Sequence, residues 1–171
     1  YGDWSSDVCS SDLAAAATVC WITCPNMNKF SDLRATDIQL VLELLPRCDH
    51  GVPWVTVTIN DQTVWDGSLA QPLRHKCVLP LLDPVTIGVA LRHKQYMSAP
   101  GDTAVVVHSL ALDGLELMPD HAHLAQYHND HDHSTATCYL GFNGLWRLSI
   151  PEPFYQWWHR VTAQGWLLKP H

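Results

Sequence analysis

The chain has 171 residues, 47% of them hydrophobic and 16% charged, with a formal charge of −7. That length supports one core rather than two, and the sparse, acidic charge gives nucleic acid no electrostatic footprint and does not fit a disordered tail. No run of about 18 apolar residues occurs, so no membrane-spanning helix is expected. The apolar stretch from Leu13 to Ile22 follows Asp3, Asp7 and Asp12 rather than Lys or Arg, the reverse of a secretory leader.

The first segment reads as foreign. Residues Asp3 to Leu13, DWSSDVCSSDL, match the in-frame translation of a common sequencing adapter, and AAAATVCWITCPN after them has no clear period. Met27 is the expected natural start, with 1–26 outside the native protein and 27–171 forming a single domain. Setting aside Asp3, Asp7 and Asp12 takes the formal charge from −7 to −4. It also removes Cys9, Cys20 and Cys24. Cys48, Cys77 and Cys138 remain, an odd number without C-x-x-C spacing, which argues against a disulfide framework or a zinc knuckle and suits a reducing cytoplasm.

From there the pattern is that of strands. Ile38, Leu40, Leu42 and Leu44 alternate with polar neighbours up to Pro46, which is expected to end the strand. Val55, Val57 and Ile59 face one way in a hairpin whose turn is placed at Asp61 and Gln62, with Thr63 to Asp66 returning. Further strands are predicted at 77–82, 85–92 and 104–112. Asp113-Gly114 turns the chain into 115–118, and Asn143-Gly144 predicts a third hairpin between TCYLGF and LWRLSI. About nine short strands indicate an all-β chain, an antiparallel β-sandwich or jelly roll. One helix is predicted near 153–163, where Phe154, Trp157, Trp158 and Val161 recur at helical spacing and Gly165 is placed to stop it.

Two candidate sites follow. The segment 120–134 gathers His121, His123, His128, His131 and His133 among three aspartates. Imidazole and carboxylate are competent transition-metal ligands, but no H-E-x-x-H spacing fixes their geometry, and a polar loop is the plainer expectation. The second site is a sheet face. With Val55, Val57 and Ile59 inward, Trp54, Thr56 and Thr58 point outward, and a turn at Asp61-Gln62 brings Trp65 opposite Thr58 on that same face. Two indoles among hydroxyls form a surface for stacking on sugar rings. No nucleophile elbow and no phosphate-cradling glycine loop occurs, which shifts weight towards binding or structure.

The order VTVTINDQTVWDG, VTIGVALRHK, TAVVVHSLALDGLEL resembles the jelly roll of calcium-dependent carbohydrate-binding modules of the xylan-binding type. The run from about Ile38 to Val161 is also similar to small proteins of marine tailed phages, in which an LDGLEL-like hairpin is followed by a polar segment, here Gln126 to Asn129. A YLGFNGLWRLSIPEPFYQWW-like stretch comes next. The resemblance implies a non-enzymatic virion or tail-associated module, made in the host cytoplasm, with polysaccharide and other virion proteins as partners. It also implies calcium, for which Asp102, just before a strand, is the one suggestive ligand. The reading from another class is a metal-dependent enzyme using 120–134, and a third is a structural subunit without a ligand.

Overall fold

A computed structural model describes residues 20–23, 37–95, 101–151 and 153–162. The adapter-like stretch, Met27 and Gly165 lie outside them. Twelve strands and one α-helix are described: β1 (Cys20–Thr23), β2 (Asp37–Cys48), β3 (Trp54–Ile59), β4 (Gln62–Ser68), β5 (Leu73–Pro80), β6 (Val85–Arg92), β7 (Thr103–Leu112), β8 (Leu115–Met118), β9 (Ala125–Asn129), β10 (Ser134–Thr135), β11 (Tyr139–Leu140), β12 (Gly144–Ile150) and α1 (Phe154–Thr162). They form two six-stranded sheets. One runs β1-β5-β2-β7-β11 with β8 beside β7, the other β10-β9-β12-β6-β3-β4. All pairs are antiparallel except β1 with β5, so Cys20–Thr23 adds a strand ahead of Met27. The chain is a β-sandwich.

Period-two alternation builds the core. Leu40, Leu42 and Leu44 of β2, Val105, Val107 and Leu110 of β7, Val55 and Val57 of β3, and Ile87, Val89 and Leu91 of β6 are all buried in one core. Trp146 of β12 lies opposite Val89 and Tyr127, all three buried, and its indole N–H donates to the carbonyl of Thr137 at 2.9 Å. The predicted helix is present, with Phe154, Trp157 and Trp158 buried. It closes the end of the sandwich where β6 begins, its first N–H reaching the Leu81 carbonyl.

Four local expectations are corrected. Pro46 does not end β2, which continues to Cys48. Pairing to β5 stops at Leu44, so beyond it β2 is bonded only towards β7, and a residue without an N–H is tolerated on such a one-sided stretch. The turn of the β3–β4 hairpin falls at Asn60 and Asp61, both with positive φ, as a type I′ turn requires. Asn143-Gly144 makes no hairpin: β11 pairs with β7 in one sheet and β12 with β6 and β9 in the other, so the chain crosses between sheets there. The glycine is needed for close approach instead, since a Cβ on Gly144 would lie 2.7 Å from Asn129 Cα and closer still to the His128 carbonyl oxygen. Asp113-Gly114, by contrast, does turn β7 into β8, with φ of 50° and 78°. Strand β5 starts at Leu73, four residues before the predicted Cys77.

Candidate functional site

The end of the sandwich away from α1 carries the polar loops, and the outer face of the second sheet rises to meet them. Register fixes what that face displays. Trp54 and Thr56 of β3 lie opposite Arg92 and Ala90 of β6, Ala90 lies opposite Leu145 of β12, and Leu145 opposite His128 of β9. Next along, Gly88 faces Thr58 on one side and Arg147 on the other. The small residues of β6 lower the middle of the sheet. An open groove of about 500 Å³ results, lined by Arg92, His93, His128, Asn129, Asp130 and Leu145 together with neighbouring backbone.

Trp54 stands beside this groove, 40% exposed. Its ring meets His93 edge-on at 6.2 Å. Asp66, opposite Thr56 on β4, accepts hydrogen bonds from the Trp54 indole N–H at 3.3 Å and from the Thr56 hydroxyl at 2.5 Å. The carboxylate thereby fixes the indole edge while the ring stays open to solvent. Thr56 is buried in this arrangement and Thr58 half-buried, so neither hydroxyl is displayed as freely as alternation alone implies.

Trp65 is not part of that face. Moving the turn back by one residue pairs Thr58 with Thr63, and a bulge after Val57 then sets Trp65 opposite Val57, on the core side. A one-residue change of register exchanges the faces of every following side chain. Trp65 is half-buried, packs against the core, and lies with its ring 3.7 Å from where a Gly67 Cβ would be. The expected pair of outward indoles is therefore one outward indole and one inward.

The five histidines are also dispersed. The segment predicted as a loop is partly a strand, because β9 is an interior member of its sheet. His121 precedes and His123 lies within a 3-10 turn at Ala122–Leu124, where the His121 ring sits 5.0 Å from Trp158. His128 projects from β9 into the groove. His131 and His133 lie in the β9–β10 turn, where both backbone N–H groups donate to the side-chain oxygen of Asn129. His131 rests edge-on against Phe142 at 5.2 Å. Among the described residues no three His, Cys, Asp or Glu side chains converge as an ion-binding group.

Asp102 belongs to a second cluster at the same end. Its carboxylate pairs with the Lys94 ammonium and accepts from the Tyr139 hydroxyl, and its N–H donates to Asp49 at 2.9 Å. Lys94, its side chain only 8% exposed, also donates to the Gly141 carbonyl and lies 5.6 Å from the centre of the Phe142 ring. Burial alone would raise the Asp102 carboxyl, but hydrogen bonds from Lys94 and Tyr139, with the lysine charge, hold it below its ordinary value. Burial, reinforced by the Asp102 carboxylate, pushes the Tyr139 phenol up to about 12. Both carboxylate oxygens are thus engaged by this chain's own donors, which does not fit the role of a calcium ligand.

Arg92, His93 and Leu145 of the groove, and Asp66 that orients Trp54 beside it, escaped the sequence reading. The phase of β6 holds a signal for the first, since inward Ile87, Val89 and Leu91 send Gly88, Ala90 and Arg92 to Trp54's face.

No protein-family model matches the chain, and no curated protein does. Among solved structures it is similar to the selenomethionine form of a carbohydrate-binding module, described in work on circular permutation between two calcium-dependent families of such modules. The alignment covers 65% of this chain and 89% of that one, at 14% identity and a TM-score of 0.43.

Proposed function

We propose that the outer face of the second sheet binds carbohydrate and that the chain acts as a non-catalytic binding module. The observation that carries this reading is Trp54: a large indole, 40% exposed, held edge-on by Asp66 beside a groove that sets the polar side chains of Arg92, His128, Asn129 and Asp130 around apolar surface from Ala90, Leu91 and Leu145. A sugar ring has an apolar C–H face and a rim of hydroxyls. A flat aromatic set next to directed donors and acceptors complements both, and a sheet holds them rigid.

The groove is open, so a single site is expected to be weak, on the order of millimolar to tens of micromolar, once lost rotational freedom and desolvated hydroxyls are offset. Many copies would raise retention without new contacts. The phage-like C-terminal motif supplies such a setting in a virion, which is the finer part of the proposal.

The test compares Trp54→Ala with Trp65→Ala on a polysaccharide array, using a multimerised full chain. Trp54→Ala is expected to lose binding at least tenfold with its unfolding temperature little changed, because the lost side chain is largely outside the core. Trp65→Ala should do the opposite and lose stability. Unaltered binding by Trp54→Ala refutes the proposal.

A further inference from the structure

Two arginines mark the outer face. Arg92 lies across from Trp54 and lines the groove; Arg147 lies between Gly88, which has no side chain, and Gln126. Neither has a carboxylate partner among the described residues, whereas Arg74 is paired with Glu43 at 2.9 Å and Lys94 with Asp102. The nearby carboxylates are engaged elsewhere. Asp66 already accepts from Trp54 and Thr56, and Asp130 lies 3.4 Å from the Asn143 amide and 3.6 Å from the His131 ring nitrogen. In a chain whose formal charge is −7, two arginines without carboxylates on one face depart from the bulk balance.

Guanidinium groups present a planar fork of donors that matches carboxylate and sulfate oxygens in pairs, and they shed water more readily than an ammonium. The two positions are four residues apart along the strand direction, about 13 Å, and one strand across. A chain with repeated acidic groups can meet both while one of its rings rests on Trp54.

Building on the carbohydrate reading, we propose that the ligand of this face is an acidic polysaccharide, with Arg92 and Arg147 holding its carboxylate or sulfate groups. Neutral glycans leave both guanidinium groups unpaired by ligand and are the weaker class.

The experiment measures retention of the full chain on neutral xylan, on polygalacturonate, on chondroitin sulfate and on single-stranded oligothymidylate, at low and at physiological salt, for the parent chain and for Arg92→Gln, Arg147→Gln and Trp54→Ala. Expected is binding to an acidic polysaccharide at least tenfold tighter than to xylan, weakened by salt, and reduced about tenfold by either arginine substitution. The polygalacturonate and chondroitin arms separate carboxylate from sulfate. Xylan bound as tightly as the acidic chains, insensitive to both arginine substitutions but lost in Trp54→Ala, overturns this inference while the carbohydrate reading stands. Oligothymidylate retained as well as the acidic polysaccharides also overturns it, because the face then reads charge alone. No glycan retained, or retention indifferent to Trp54→Ala, overturns both.

Discussion

The Gly144 position gives a sharp test of the sheet that carries the groove. Gly144 opens β12, pairing with Leu91 of β6 and Asn129 of β9, and its φ is not in the left-handed region, so alanine suffers no backbone strain there. What it meets is space already filled by main chain: Asn129 Cα at 2.7 Å and, closer, the carbonyl oxygen of His128. Backbone in mid-sheet cannot swing aside, so the cost should sit near the top of the roughly 1–3 kcal/mol range of overpacking. Restricting the unfolded chain returns about 0.4–1 kcal/mol. The net loss is about 2 kcal/mol, a fall of about 4–8 °C in Tm for a chain of this size. Gly88→Ala is the control. There a Cβ meets the Thr58 side-chain oxygen, with Leu145 Cδ1 at an ordinary 3.5 Å. Thr58 can rotate for about 0.5–1.5 kcal/mol, which the unfolded-state gain largely cancels. Thermal unfolding by circular dichroism, run on both variants beside the parent, decides the matter. Gly144→Ala melting no lower than Gly88→Ala would show that β9 and β12 do not approach as described.

Two further predictions concern the core. Trp157→Ala should destabilise by roughly 3–5 kcal/mol because the indole is only 4% exposed between helix and sandwich; denaturant unfolding with an unchanged midpoint would place the stripe outside the core. His75 is fully buried, neither ring nitrogen has a hydrogen-bond partner among the described residues, and burial lowers its pKa from the ordinary 6.5. The folded state then binds fewer protons than the unfolded one, so stability is full above pH 6.5 and declines as pH falls from there towards the folded value. His75→Leu should flatten that decline and raise the neutral-pH midpoint, since it removes orphaned buried nitrogens; urea midpoints that fall equally in both chains between pH 7 and 5 would acquit His75.

The sandwich was legible because its faces obey a period of two, and every inward set named from sequence, from Ile38 to Leu44 and from Ile87 to Leu91, is buried. Turn chemistry carried less. Moving the turn from Asp61-Gln62 to Asn60-Asp61 would by itself leave Trp65 on Trp54's face, opposite Thr56; the bulge after Val57, which no turn residue announces, takes it off. Asn143-Gly144 shows a second ambiguity: the same dipeptide serves a tight turn or a close crossing, and the crossing depends on where β9 runs, a non-local fact. The placement of the histidines was hidden for a related reason. Composition along 120–134 does not reveal that one histidine stands on an interior strand, one before and one within a 3-10 turn, and two in a turn between strands.

The loops around the groove are tied to one another rather than left to the ligand. Lys94 follows the groove residues Arg92 and His93; its backbone N–H donates to the Asn143 side chain at 2.8 Å, whose amide returns a bond to the Lys94 carbonyl at 3.2 Å. Its ammonium then reaches across to Asp102 and Gly141, joining the segments before β7 and β12. An ammonium used in this way is an internal cation, and it brings together loops that face the groove on one side and the Asp102 pocket on the other. Binding at such a site does not first have to order the chain. The cost that limits open, shallow sites is then mainly the ligand's own loss of freedom. On the proposed reading, discrimination falls to the few side chains that project from this frame, Trp54 by shape and the two arginines by charge.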